Sequence, residues 1–333
     1  MIKKSIFVGI SAVSMMFATS VMANDSPAAL IISQGGLGDG SWNDTAYAGF
    51  TAGLAATGLE GRPIESKDVV AQGEEIMRRA ADGGFGLIMS LEWIHGEPME
   101  NLAKDYPDAN WVIMNQTRTG DNVASVVFGE HEGSYLAGAL AAQVTTDTSI
   151  PGINKEAIIG VIGGFKAPGI DKFIVGFIQG AEAINPDIEV KVAYSDSFGD
   201  PAKGQQMALA MFEGGADIVY QVAGGTGIGI IEAAKAEGHY AIGVDTDQDS
   251  MAPGHVLTSM LKRLDLTIFE QAEKTAAGTF EPSGKFVYLG LAEGMVGYAT
   301  EDGMVTDEMA AAAEAAAAGI IDGSITVADW SQE

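Results

Sequence analysis

Asp39, Trp42, Asn43 and Asp44 crowd into the stretch GGLGDGSWNDTAYAGF (35–50), directly after an apolar run. An indole beside an amide and two carboxylates can stack on a flat ring and accept hydrogen bonds from its substituents. The plainer reading is structural. Gly35, Gly36, Gly38 and Gly40 let the backbone turn tightly, Asn43 or Asp44 can cap the helix that begins there, and a Trp in such a loop is as often packed into the core.

Further along, Asp245 in IGVDTDQ ends an apolar run, as either a helix cap or an acceptor for paired hydroxyls such as a ribose diol. Lys262 follows the run LTSML at the start of a predicted helix, where the helix dipole disfavours a cation. It is either solvated or held by a specific partner. The turn VAGGTGIGI carries Gly224 and Gly225, but its spacing breaks the dinucleotide fingerprint and no Lys-Ser/Thr pair completes a P-loop. It reads as a close-approach turn onto a helix N-terminus.

A catalytic set is missing. The four His, at 95, 131, 239 and 255, show no metal-ligand spacing, there is no Cys, and no Gly-x-Ser-x-Gly elbow occurs. Asp245, Asp247 and Asp249 alternate like a calcium loop but lack its Gly and terminal Glu. No cofactor, no metal and no enzymatic activity are expected.

The elements that must position these residues alternate in type. Short apolar runs at 28–33, 62–66, 85–90, 110–115 and 122–128 read as strands, with helices near 43–57, 73–82, 97–105 and 130–143. After TSIPGINKE the rhythm restarts, with strands at 157–163, 189–195, 216–223 and 239–245 and helices near 170–184, 201–214 and 228–237. Runs at 255–261 and 284–291 flank a helix near 262–277 and cross back between the two halves, and DEMAAAAEAAAAG reads as a surface helix capped by Gly319. This is an α/β chain of two doubly wound, Rossmann-like lobes, each discontinuous: 24–128 plus about 262–290, and 129–261 plus about 291–333. Ligands of such sheets sit beyond the carboxyl ends of the strands, at the turns after 33, 90, 115, 163, 195, 223 and 245.

Residues 1–23 read as a cleaved signal peptide, with Lys3 and Lys4 before an apolar run that is too short to span a bilayer. Removing those lysines takes the formal charge from −27 to −29. Such a surface repels nucleic acid and anionic lipid. Without Cys there is no lipid-modified N-terminus and no disulfide, so a free periplasmic protein is expected.

The motifs GDGSWNDTAYAGF, VVFGEHEGSYLAG, IGVIGGFKAPGIDKFIVGFIQGA, SFGDPAKGQQMALAMFEGGADIVYQVAGGTGIGIIEAAK, AIGVDTDQ and VLTSMLKRLD follow one another over about 28–290. In this order they closely resemble the basic membrane protein family, the PnrA-like substrate-binding proteins of ABC transporters. The resemblance implies a type I periplasmic binding fold with a hinge of three crossovers, closing on a small molecule that is commonly a purine nucleoside. It implies that Trp42, where the family often has Phe, stacks on the base, with Asn43 and Asp44 following it. It implies that Asp245 and Lys262 hold the ribose hydroxyls near the Gly224–Gly225 turn, and that Phe198 in DSFGD and Phe173 in DKF are further walls. Where the family commonly ends a strand with Asp, this chain has Asn115, and an amide both donates and accepts. Trp93 in SLEWIHG adds a wall. A monomer that delivers its ligand to a membrane permease follows. The competing readings are a receptor of the same fold for a flavin, another heterocycle or a sugar derivative, a sensor for a membrane signalling partner, and an exported nucleoside-processing enzyme.

Overall fold

The architecture is taken from a computed structural model, which describes residues 26–300 and 304–329; the leader expected over 1–23 lies outside them. The first half runs β1 (Ala28–Ile31), α1 (Trp42–Thr57), β2 (Gly61–Ile64), α2 (Gly73–Asp82), β3 (Leu87–Ser90), α3 (Gly96–Ala103), β4 (Asn110–Met114) and β5 (Val123–Phe128). Then follow α4 (Glu130–Thr145), β6 (Ile158–Gly163), α5 (Pro168–Ile184), β7 (Glu189–Tyr194), α6 (Pro201–Glu213), β8 (Ala216–Val222), α7 (Thr226–Glu237) and β9 (Tyr240–Asp245). The chain ends with β10 (Val256–Lys262), α8 (Leu264–Ala276), β11 (Val287–Leu289), β12 (Val296–Tyr298) and α9 (Asp307–Ile321).

Two sheets result, in the orders β11-β5-β4-β3-β1-β2 and β12-β10-β9-β8-β6-β7. All pairings are parallel except β10 with β12. Every residue of β1, β3, β5, β6, β8 and β9 is buried, which is why these strands read as continuous apolar runs. Helices cover both faces, and α8 packs on α1 while α4 packs on α5, β10 and β12. The chain therefore passes between lobes three times, at Gly129, at Arg263 and between β11 and β12.

Small residues let the helices approach. A Cβ on Gly49 of α1 would collide with the Asp265 carbonyl oxygen of α8, and one on Gly180 of α5 would collide with the Tyr135 carbonyl oxygen of α4. Gly180→Ala is expected to destabilise the protein by about 3 kcal/mol through overpacking. A lowered urea midpoint at unchanged slope is the readout, and an unchanged midpoint would mean that the two helices can part freely.

Two sequence expectations are corrected. The Ala-rich helix runs through Gly319 to Ile321, so Gly319 is not its cap; a Cβ there would stand 2.9 Å from the Ile325 side chain, which folds back over it. The helix is instead capped at its start by Thr306, whose hydroxyl accepts from the Met309 N–H. The run 284–291 is a strand only over Val287–Leu289, and β12 follows it unannounced, three residues beside the end of β10.

Candidate ligand-binding site

Between the carboxyl ends of the two sheets lies a cavity of about 510 Å3, walled by both lobes. Its volume suits a small organic molecule. Asp39, Trp42, Asn43, Trp93, Asn115, Phe173, Phe198, Gly224, Asp245 and Lys262 all border it, whereas Asp44 and Gly225 do not.

The loop from β1 to α1 is built by its own acids. Both oxygens of Asp44 accept from loop amides, those of Gly38 and Gly40, at 2.8 Å each. Asp39 accepts from the backbone N–H of Ser41, Asn43 and Asp44. The cap of α1 is therefore Asp39, not Asn43 or Asp44. Burial raises the Asp39 pKa, and those three amides offset part of the rise. Asn43 is equally occupied: its Oδ1 accepts from the N–H and hydroxyl of Ser33, and its Nδ2 donates to Gln34 and Asp39. What the loop leaves open toward the cavity is the Trp42 ring, whose Nε1 donates to the Leu91 carbonyl at 3.3 Å.

Asn115 and Asp245 stand at the ends of β4 and β9 in the left-handed region, at φ 55° and 69°. Asn and Asp tolerate that region better than other side-chain-bearing residues, and strain of this kind gathers at functional sites. Asn115 Oδ1 is buried and accepts no hydrogen bond from protein. A buried polar atom left so costs about 1–3 kcal/mol until a donor arrives. Asp245 is buried, with Oδ2 accepting from the Ser41 hydroxyl at 2.5 Å. Burial raises its pKa, against the opposing pull of Lys262 and Ser41.

Lys262 is buried with its partner. Its Nζ donates to Glu130 Oε1 at 2.8 Å, while Lys172 Nζ stands 2.9 Å from Glu130 Oε2 as an ion pair and donates to the Phe128 carbonyl at 2.7 Å. Burial would push the Glu130 pKa up, but the two lysines outweigh it and hold the carboxyl down to about 2. The Lys262 ammonium also lies 4.1 Å from the Trp42 ring centroid, 4.9 Å from that of Phe128 and 5.5 Å from that of Phe173. These rings attract it by cation–π contact. Across the cavity Phe165 and Phe198 meet edge to face at 5.3 Å.

Glu130, Lys172, Phe165 and Glu92 border the cavity without having been picked out from the sequence. Lys172, in the second turn of α5, carried little signal, and Lys262, expected at a helix start, is instead the last residue of β10, two residues before α8, so the dipole argument does not apply to it. Phe165 follows β6, one of the strand ends where ligands are sought. Glu130 gave no local sign. The histidines form no metal cluster among the described residues. His95 is held by Ser90 and the Val69 carbonyl, and burial lowers its pKa.

A cleft at the carboxyl ends of two doubly wound sheets, with the chain crossing three times behind it, is the geometry of a solute receptor. The family model described as ABC transporter substrate-binding protein PnrA-like matches residues 27–330. The chain belongs to this family. Among PnrA-like and related relatives, the ABC transporter nucleoside-binding protein BmpA of Lactococcus lactis subsp. cremoris is 32% identical, over 91% of this chain and 89% of that one. A CD4+ T-cell-stimulating antigen of Listeria innocua is 31% identical, over 92% and 88%. Of solved structures, a solute-binding protein of an ABC transporter system from Aeropyrum pernix K1 is similar with a TM-score of 0.83 and 25% identity, covering 91% of this chain and 93% of that one. No helix among the described residues is long and apolar enough to cross a membrane.

Proposed function

We propose that this substrate-binding protein closes on a purine nucleoside and delivers it to the permease of an ABC importer, working as an exported monomer in the periplasm. The lobes divide at 24–128 plus about 262–290 and 129–261 plus about 291–333. The observation that carries the ligand reading is a single cavity bordered by unlike polar groups from the two lobes. At one lobe the Asp245 carboxylate and the Lys262 ammonium, from the ends of neighbouring strands β9 and β10, both border the cavity, an acceptor and a donor for a diol. At the other, Asn115 offers an unpaired amide oxygen. The Trp42 ring, with Phe198 and Phe165 across the cavity, supplies flat apolar surface for a base. The name of the Lactococcus relative supports the same class of ligand.

In this arrangement Asp245 and Lys262 grip the ribose, Trp42 stacks on the base, and Asn115 reads the base edge, with Phe173 and Trp93 as outer walls. Asp39, Asn43 and Asp44 shape the loop. An amide suits an edge with one donor and one acceptor, as in adenine or hypoxanthine, whereas a carboxylate suits the two adjacent donors of guanine. Asn115→Asp is therefore expected to raise the guanosine-to-adenosine affinity ratio about tenfold, that is by about 1.4 kcal/mol. An unchanged ratio in calorimetric titrations would remove Asn115 from the base edge.

Mass spectrometry of small molecules released by denaturing the purified protein tests the ligand class. A nucleoside supports the reading, and a stoichiometric flavin or sugar derivative overturns it in favour of another receptor of the same fold.

A further inference from the structure

Gln248 closes the motif GVDTDQ, does not border the cavity, and is 1% exposed with every polar group engaged. Its Oε1 accepts from Val244 N–H at 3.0 Å and from Gln221 Nε2 at 2.7 Å, and its own N–H donates to the Ser259 hydroxyl at 3.0 Å. Its Nε2 donates to the Gly40 carbonyl at 2.9 Å. The orientation of the amide is fixed by chemistry: Val244 N–H only donates and the Gly40 carbonyl only accepts. Gln221, Val244 and Ser259 belong to β8, β9 and β10 of the second lobe, whereas Gly40 belongs to the β1–α1 loop of the first. The hydrogen bond from Gln248 to Gly40 thus crosses the cleft.

Neighbouring contacts cross with it. Ser41 donates to Asp245, and a Cβ on Gly35 would stand 2.8 Å from the Phe198 carbonyl oxygen. The first-lobe side of the junction is stiff, because Asp44 and Asp39 hold the amides of Gly38, Gly40 and Ser41.

We propose that Gln248 is a positioning residue that latches the cleft closed: its preset amide captures the Gly40 carbonyl, and so brings Trp42, two residues on, opposite Asp245. The proposal rests on the reading that the lobes close around the ligand. Closure is then held partly by protein atoms at the mouth and partly by contacts to the ligand inside. A latch of this kind acts on the closed state, so it slows ligand escape more than it speeds ligand entry.

Gln248→Glu tests it with the shape retained. One carboxylate oxygen still accepts from Val244 and Gln221, but the other faces the Gly40 carbonyl and repels it unless protonated. For the variant at pH 7.5, inosine affinity is expected to fall about tenfold or more, mostly through a faster off-rate. As the pH drops to 5 the protonated carboxyl regains a donor and the affinity recovers. Wild type run in parallel sets the baseline, since Asp39, Asp44, Asp245, Asp247 and Asp249 of the same junction and loop are present in both proteins. Small-angle scattering of ligand-free protein is expected to show a larger radius of gyration for the variant than for wild type at pH 7.5, converging at pH 5. Gly35→Ala wedges the junction without touching Gln248, and is expected to weaken binding and expand the protein at both pH values. Gly35→Ala also carries the test if Gln248→Glu does not fold.

Equal affinity and equal scattering of the variants and wild type at pH 7.5 would overturn the latch. So would a Gln248→Glu defect with no recovery in acid. If wild type binds no nucleoside, the ligand reading fails, and the scattering comparison still decides the latch.

Discussion

Glu130→Gln will lower the unfolding free energy by about 3 kcal/mol at neutral pH, because it leaves Lys172 and Lys262 buried without their shared anion. The same size follows from linkage. The Glu130 carboxyl is held down from 4.5 to about 2 in the folded protein, and one pKa unit corresponds to about 1.4 kcal/mol. A depressed carboxyl stabilises the fold fully above its unfolded pKa and loses that contribution as the pH falls through its folded one. The gap between wild type and Glu130→Gln should therefore be widest above about pH 5 and close toward pH 2. Urea unfolding over that range measures it, and a gap independent of pH would show that the loss comes from packing rather than from the ion cluster. The variant should also bind ligand more weakly, since Glu130 is what holds the Lys262 ammonium under the Trp42 ring.

Asp245→Ala separates stability from binding. Burial raises the Asp245 pKa, so its ionised form costs the fold free energy above that pKa, and removing it should offset the strain of Ala at φ 69° and the lost Ser41 bond, leaving the melting temperature about unchanged. Nucleoside affinity should fall about 100-fold or more, because charged hydrogen bonds to the ligand hydroxyls are lost inside a low-dielectric cleft. A residue that costs stability while serving binding is a common mark of a site. Equal affinity in the variant would take Asp245 out of the site, and a collapse of the melting temperature would make it a structural residue.

Much of the fold was legible because parallel strands buried on both faces leave unbroken apolar runs, and these placed β1, β3, β5, β6, β8 and β9 closely. The strand-end rule then led to the turns that present Trp42 and Asp245, while Asn115 and Phe198, after strands of the same kind, came from the family resemblance. What stayed hidden was non-local. Glu130 lies 132 positions from Lys262, and no pattern within a helix announces a partner at that distance. The cap on α1 was misplaced for a local reason: Asp39 reaches over from beyond the usual capping position, while Asn43 and Asp44 turn their side chains back into the loop. β12 has strand-forming Val296 and Tyr298 but is three residues long with Gly297 between them, too short for a pattern to register before it pairs antiparallel with the end of β10.

Whether the cleft takes a whole purine nucleoside, with ribose at Asp245 and base at Asn115, is decided by calorimetric titration. Protein stripped of ligand by unfolding and refolding would be titrated with inosine, adenosine and guanosine, and separately with hypoxanthine and ribose. One-to-one binding of at least one nucleoside is expected with a Kd of about 1 μM or below, and binding of the free base and the free sugar at least about 100-fold weaker. Absence of binding heat for all three nucleosides, with no shift in thermal unfolding at about 1 mM ligand, would rule it out.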